Sequence, residues 1–343
     1  MDVATHAVTS FALARGFFPR HSWPFAVGVI LAGTLADLDL LTLLFGPQAF
    51  LSGHYTVTHS LIGTVAVVCI ALMFVKVLSS RDGQFQKTAP NHKPGFAALL
   101  LATSLAAIMH VLMDLATSSG VALLWPFRAS RFAWDFLPFL DPWLLALLVM
   151  GIALPELLAL VGSEIGVKEK GPRGRNGARF ALAVAVLYIG ARAILHGGAV
   201  AQIDAHSYRG ESPHKVAAFP DSLSFVTWHG VVETDSQICT VDVPVAGTAH
   251  FDAETALCAH KPEESEALTA AQKTPTAQEF LQAASFPKAS VNPMESGSEV
   301  VLRDLRDIVQ NEVAHALAAR IRVAPRGQVT SQNIVWARNV RLR

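Results

Sequence analysis

The chain has 343 residues, of which 52% are apolar and only 16% charged; a soluble chain of this length carries about a quarter charged residues. Its 27 basic and 27 acidic side chains cancel, so no whole-chain field draws it to nucleic acid. The mean hydropathy of +0.39 is unevenly spread: the long apolar runs lie in residues 1–200, and residues 200–343 have the composition of an ordinary soluble domain.

Residues 2–16 are short and moderately apolar, carry His6 and Arg15, and lack a small-residue cleavage site behind an apolar core. That argues against a cleaved signal peptide and for a half-buried helix. Runs at 23–45, 59–78, 96–117, 142–161 and 178–196 approach the roughly 20 residues that cross a bilayer. Backbone groups in lipid must be paired internally, so each run is predicted to be a helix. Residues 223–233, 237–245, 298–305, 316–324 and 331–340 read as strands and 274–285 as a short helix. The stretch 261–276, crowded with Pro, Glu and Thr, reads as a loop. The expected fold class is mainly α. A multi-pass transmembrane helical bundle of about five spans plus a short N-terminal helix occupies 1–198, and a small soluble α+β domain occupies 199–343.

Loop charge predicts orientation, because Lys and Arg in short loops favour the cytoplasm. Segments 15–22 (Arg15, Arg20), 79–95 (Arg81, Lys87, Lys93) and 162–177 (Lys168, Lys170, Arg173, Arg175) are basic, whereas 46–58 and 118–141 hold only Arg128 and Arg131. The first three are expected inside, and the other two outside with the C-terminal domain. Cys69 lies in an apolar run as a packing residue; Cys239 and Cys258 are free to pair in an oxidising compartment, and their spacing leaves this open. No Cys-x-x-Cys pair exists, which excludes a thiolate zinc knuckle.

This topology brings Asp37, Asp39, His54, His59, His110 and Asp114 to one depth on the outer side, with His6 at the depth of Asp37. His110 and Asp114, four residues apart, share a helical face, and Asp2 and His6 have the same spacing. An Asp in a membrane helix costs about 2.5–3.5 kcal/mol, which a shared divalent cation offsets. Imidazoles and carboxylates without thiolate suit zinc first, with manganese or iron as alternatives. Each residue alone has a plainer reading. His6 could be packed, Asp37 and Asp39 interfacial, His54 solvated, and His59 a first-turn residue behind an N-cap Thr58. His110 and Asp114 could pair without a metal. Agreement in depth and side favours the metal site.

Arg192 and His196 lie one turn apart near the outer end of the last apolar run. Snorkelling is expected for Arg192, with a carboxylate or phosphate partner as the alternative. Trp125, Trp134 and Trp143 read as interfacial anchors. Asp141 before Pro142 reads as an N-cap. His206, His214, His229, His250 and His260 lack ligand spacing and read as surface residues.

The stretches MDVATH (1–6), ADLDLL (36–41), GHYTVTHSL (53–61) and HVLMDLATSSGVALLWPF (110–127), with the Asp141-Pro142 pair, resemble the YdjM-like family of predicted membrane-bound metal-dependent hydrolases of bacteria and archaea. The resemblance covers the first 145 residues in family order. VAAFPDSLSFVTWHGVVE and FLQAASFP resemble the tail of a longer branch of that family. Ala36 stands where the family usually has Pro, and His54-Tyr55-Thr56 where it usually has His-Arg-Gly. A more distant similarity is to zinc-dependent phospholipase C and related single-strand nucleases, whose ligand order of His, Asp, His, then His-x-x-x-Asp is met here by His6, Asp37, His59, His110 and Asp114. These resemblances imply that His59, His110, Asp114 and Asp37 hold one metal and that His6, sharing Asp114, helps hold a second. Asp39 or His54 would orient a ligand or water, and Asp37 would take the proton of an attacking water. The catalytic candidates are therefore Asp37, Asp39 and His54. The implied function is a plasma-membrane hydrolase with an outward-facing site, bilayer-bound, acting on a phosphoester that includes lipid-borne ones. The alternative is a non-catalytic membrane protein with a structural metal or a solute or ion path.

Overall fold

Asp2 starts the chain's first helix by N-capping it: its Oδ1 accepts the amide of Thr5 at 3.0 Å. The computed structural model describes residues 1–18, 22–81, 95–164, 174–248, 250–306 and 316–337. The basic positions Arg20, Lys87, Lys93, Lys168, Lys170 and Arg173 lie outside the described residues. Helix α1 (Val3–Phe17) packs against α2 (Trp23–Ala32), α5 (Phe96–Ala116), α6 (Pro142–Glu164) and α7 (Arg175–Asp204). The small residues Ala12, Ala14 and Gly16 let it sit at their centre, and the Thr9 hydroxyl is satisfied internally by the Thr5 carbonyl at 2.7 Å.

The run at 23–45 is not one helix. Helix α2 ends at Gly33, and Leu35–Phe45 continues as a 3-10 segment bent by 52°. Three residues per turn stack every third side chain. Leu38, Leu41 and Leu44 accordingly form an exposed stripe, while Asp37 and Asp39 turn inward. A period of three is a poor match to an α-helix, and the break follows from it. Helix α4 (Leu61–Arg81) begins later than residue 59. Ser60 caps it, accepting the Gly63 amide at 3.0 Å, so Thr58 is not the cap and His59 precedes the helix. Between these, α3 (Pro47–Gly53) is a short helix leading to His54. Helix α7 runs beyond 178–196 at both ends.

Among the described residues, four helices are long and apolar enough to cross a membrane, and the bent pair Trp23–Ala32 with Leu35–Phe45 adds a fifth if counted as one span. Asp141 caps α6 as expected, accepting Trp143 and Leu144 amides at 3.1 and 2.9 Å and the Tyr188 hydroxyl at 2.7 Å. Arg192 does not snorkel. It is buried, donates to the carbonyls of Phe136 and Ser224 at 3.3 and 2.9 Å, and lies over the Trp228 ring. It thus joins α7, the 118–141 connection and the C-terminal domain.

The C-terminal domain comprises two four-stranded antiparallel sheets in sequential order. One holds β1 (Lys215–Pro220), β2 (Thr227–Glu233), β3 (Gln237–Pro244) and β4 (Leu257–His260); the other holds β5 (Pro287–Met294), β6 (Gly297–Asp304), β7 (Leu317–Val323) and β8 (Val329–Trp336). Helices α8 (Glu266–Gln272) and α9 (Pro275–Ala283) separate the sheets in sequence. The reading of 261–276 as a loop is corrected by α8, which Ser265 caps through the Leu268 amide at 3.2 Å. The strand expected over 223–233 starts only at Thr227, because Asp221 Oδ1 takes the amides of Leu223 and Ser224, both at 2.7 Å, in a tight turn.

Cys239 and Cys258 face each other across β3 and β4 and form a disulfide. Its loop of 19 residues predicts that replacing both cysteines by serine destabilises this domain by about 3 kcal/mol. The check is thermal unfolding with and without reductant. A double variant that melts like the wild type, with the wild type insensitive to reductant, would overturn this.

Candidate metal centre

Four stretches of chain meet at one point. Asp37 comes from the 3-10 segment, His59 from the turn before α4, His110 and Asp114 from one face of α5, and His6 from α1. All five are nearly or fully buried. His59 Nε2 lies 3.1 Å from His110 Nε2, 3.3 Å from Asp114 Oδ2 and 3.8 Å from Asp37 Oδ1. His110 Nε2 lies 3.0 Å from Asp114 Oδ2 and 3.9 Å from Asp37 Oδ1. Ligands about 2.0–2.1 Å from a tetrahedral ion stand about 3.3 Å apart, so these separations match the edges of such a site. On the other side of the same carboxylate, Asp114 Oδ1 meets His6 Nε2 at 3.2 Å and also contacts the Met1 nitrogen. His6, Asp37, His110 and Asp114 form a buried group able to hold a metal ion, with donor atoms all within 4.8 Å of one another.

Unsatisfied atoms point the same way. His6 Nδ1, Asp37 Oδ2 and Asp114 Oδ2 are buried without a hydrogen-bond partner among the described residues. Two facing ring nitrogens can share at most one proton. An arrangement that points two imidazole nitrogens and two carboxylates inward leaves polar atoms orphaned at a cost of several kcal/mol unless a cation joins them. The donor set therefore fits a divalent cation of the zinc type.

A second layer fixes the ring orientations. The Gly33 carbonyl lies 2.9 Å from His110 Nδ1, which makes that nitrogen the donor and leaves Nε2 facing the cluster. This carbonyl is presented where α2 breaks. Asp39 does not enter the cluster. Its carboxylate accepts the Tyr55 amide at 3.0 Å and the Thr58 hydroxyl at 2.8 Å, and meets His54 Nδ1 at 2.7 Å and His59 Nδ1 at 3.0 Å. It orients His59 rather than meeting a ligand, as carboxylate partners of metal-bound histidines do. The plainer reading of His54 as solvated does not hold, for it is buried and stacked on Phe50 with ring centroids 4.7 Å apart. Burial lowers its pKa, against the opposing pull of Asp39. Asp2 stays at the cap of α1 and is no part of the cluster.

Two residues at the site escaped sequence reasoning. Tyr55 is buried with a left-handed φ of 59°, and its hydroxyl lies 3.2 Å from the Met1 nitrogen. Arg131, read only as a loop charge, donates from Nη2 to the carbonyls of Leu51 and His54 at 2.7 and 3.1 Å. An unusual residue at the usual Arg position was the available signal for Tyr55; nothing local marked Arg131.

A family model described as YdjM inner membrane protein matches residues 1–199. No curated protein and no solved structure matches the chain.

Proposed function

The chain belongs to the YdjM inner membrane protein family, and on that premise we propose that it is a membrane-bound metal-dependent hydrolase of phosphoesters, lipid-borne ones included. His59, His110, Asp114 and Asp37 would hold one cation, and His6, through the shared Asp114, would help hold a second. The observation that carries this reading is the near-tetrahedral spacing of four buried donor atoms, 3.0–3.9 Å apart in the measured pairs; one of them, Asp114 Oδ2, and the neighbouring Asp37 Oδ2 have no hydrogen-bond partner among the described residues. Zinc is the first choice, manganese or iron the alternatives. A divalent cation bound there lowers the pKa of water toward about 7 and polarises a phosphoryl oxygen. Asp37 Oδ2, buried and without a hydrogen-bond partner among the described residues, would accept the proton of an attacking water. Asp39 holds His59 and His54 in place and keeps their orientation through turnover. The exposed leucine stripe at Leu38, Leu41 and Leu44 supports contact of this segment with lipid, and the disulfide supports an oxidising, extracytoplasmic location for the C-terminal domain.

The near-complete burial of the donors favours a second reading, a closed structural ion. Structural sites are saturated by protein ligands, whereas catalytic sites keep an open position. The protein purified without chelator is expected to carry about one equivalent of zinc or manganese per chain, and about two where the His6 side is also filled. In the cobalt-substituted form, inorganic phosphate should change the visible spectrum. A metal-free protein that takes up no ion removes the whole reading. A cobalt spectrum unmoved by phosphate, with no hydrolysis in a phosphoester and phospholipid screen, selects the structural ion.

A further inference from the structure

One turn of the C-terminal domain is seated against two candidate spans. Residues 221–226, between β1 and β2, are wound tight. Asp221 Oδ1 accepts the amides of Leu223 and Ser224, both at 2.7 Å, and Ser224 Oγ accepts those of Val226 and Thr227 at 3.3 and 3.1 Å. The indole of Trp143, in the first turn of α6, donates to the Leu223 carbonyl at 3.1 Å. Arg192, on α7, donates to the Ser224 and Asp221 carbonyls at 2.9 and 3.4 Å. Phe225 packs against both helices, its ring centroid 5.1 Å from that of Trp143 and 5.8 Å from that of Tyr188. Leu223, between these anchored residues, is nevertheless 73% exposed.

These contacts fix the depth of the turn. Helix α7 begins at Arg175. About 30 Å of hydrocarbon corresponds to about 20 residues of helix, so a layer entered at Arg175 runs past both Tyr188 and Arg192. Trp143 is the second residue of the candidate span Pro142–Ala159. Open apolar side chains line the same helices, Val186, Leu187 and Ile194 on α7 and Val149, Met150 and Leu157 on α6. Leu223 joins that surface through the exposed Trp143. Irregular backbone is tolerated at such a depth only where protein meets its polar groups. Here the carbonyls of Asp221, Leu223, Ser224 and Val226 all have donors, the last from the Val245 amide at 2.8 Å. Asp221 Oδ2 faces His229 Nε2 at 3.3 Å. The need is mutual: a guanidinium at that depth requires acceptors, and the turn supplies two of the three carbonyls that Arg192 meets.

We propose that the β1–β2 turn is inserted into the bilayer beside the Pro142 end of α6, with Leu223 and the open edge of Phe225 against acyl chains. Trp143 marks the polar boundary there, as tryptophans at bilayer interfaces do. The occupant of this apolar patch is lipid rather than a soluble partner, because the exposed leucine continues a helix surface that passes through the hydrocarbon layer. The C-terminal domain is thus anchored in the membrane by its own residues and does not hang from α7 alone. Sheet order then sets its direction. Strand β2 has seven residues and carries the chain about 23 Å, at about 3.3 Å per residue, from the inserted turn to the turn at 234–236. The inference needs α6 and α7 to cross the bilayer and is independent of the metal centre.

The test is nitroxide accessibility in the full chain reconstituted in phospholipid bilayers. Cys69 is replaced by Ala, the disulfide is kept, and a label is attached to Leu223→Cys or, for contrast, to Asp235→Cys. Asp235 lies in the turn at the other end of β2, and its side chain is 98% exposed. At position 223 collisions with dissolved oxygen should dominate and collisions with a water-soluble nickel chelate should be lost; at position 235 the order should reverse. A label at 223 as open to nickel as the one at 235 overturns the insertion. A label at 223 shielded from both reagents overturns it too, because protein then covers the turn. The unaltered chain gives a second measurement that survives an unstable variant. A photoactivated diazirine carried on a phospholipid acyl chain should attach within 221–226 and not within 234–236. Attachment to α6 and α7 but not to 221–226 refutes the insertion, and the same holds whether or not the protein binds metal.

Discussion

Alanine in place of His59 or of His110 is expected to strip the protein of its metal. Each imidazole contributes one edge-sharing donor to the same small cluster, and their Nε2 atoms stand 3.1 Å apart. Removing either leaves two carboxylates facing each other in a buried place with one imidazole between them. His54 is locked to Asp39. His6, on the other oxygen of Asp114, is within reach of Asp37, His110 and Asp114, so any metal left in His59→Ala should be weakly held through it, and His110→Ala should lose the metal most completely. The loss should exceed the 10–100-fold that removal of an orienting partner costs. That smaller loss is what Asp39→Asn should show, since it keeps the donors and weakens the hold on His59 and His54. His6→Ala should retain the first ion and lose any second one. Elemental analysis of each purified variant, with circular dichroism to confirm retained helicity, gives the answer. Full metal in both His59→Ala and His110→Ala would remove the centre proposed here.

The part of this centre that was legible in the sequence was the part carried by helical spacing and depth. His110 and Asp114 sit four apart on a regular helix, and their shared face follows from period alone. Long apolar runs told which ends of the helices lie together, which is why His6, Asp37 and His59 were grouped with them. What was hidden depended on departures from regular structure. The break after Ala32 presents the Gly33 carbonyl to His110, and the late start of α4 leaves His59 in a turn where Asp39 reaches it. Neither follows from hydrophobic period. The same holds in the C-terminal domain. The strands missed, β1, β4 and β5, are all sheet edges, where short length and proline at Pro220, Pro287 and Pro293 are tolerated and the alternating pattern is weak. Arg192 was misread because an arginine near a helix end usually reaches water; here the carbonyls of two other segments close over it.

Gly63→Ala should damage the metal centre although Gly63 touches no ligand. The residue lies in the first turn of α4, against the turn that carries His59. A Cβ built there would fall far inside van der Waals contact distance of the Val57 carbonyl oxygen, 2.8 Å from the Thr58 carbonyl oxygen and 2.9 Å from its carbon. All three are backbone atoms, so no flexible side chain can yield, and the 57–60 turn must move. In an open helix interior, Gly to Ala stabilises by about 1 kcal/mol; overpacking against rigid neighbours costs about 1–3 kcal/mol. The clash therefore outweighs the propensity gain. The displaced turn carries His59 away from Asp39 and the cluster, and a site needs its groups within about 0.5 Å of the productive geometry. Chelator competition should show metal affinity reduced at least tenfold, a shift of about 1.4 kcal/mol, in a protein that still folds. Gly190→Ala provides the contrast, because nothing lies within 4 Å of the added Cβ and the change should leave metal affinity intact. Wild-type affinity in Gly63→Ala would mean that the turn holding His59 is positioned by something other than this close approach, and that the packing of α4 against it does not set the site.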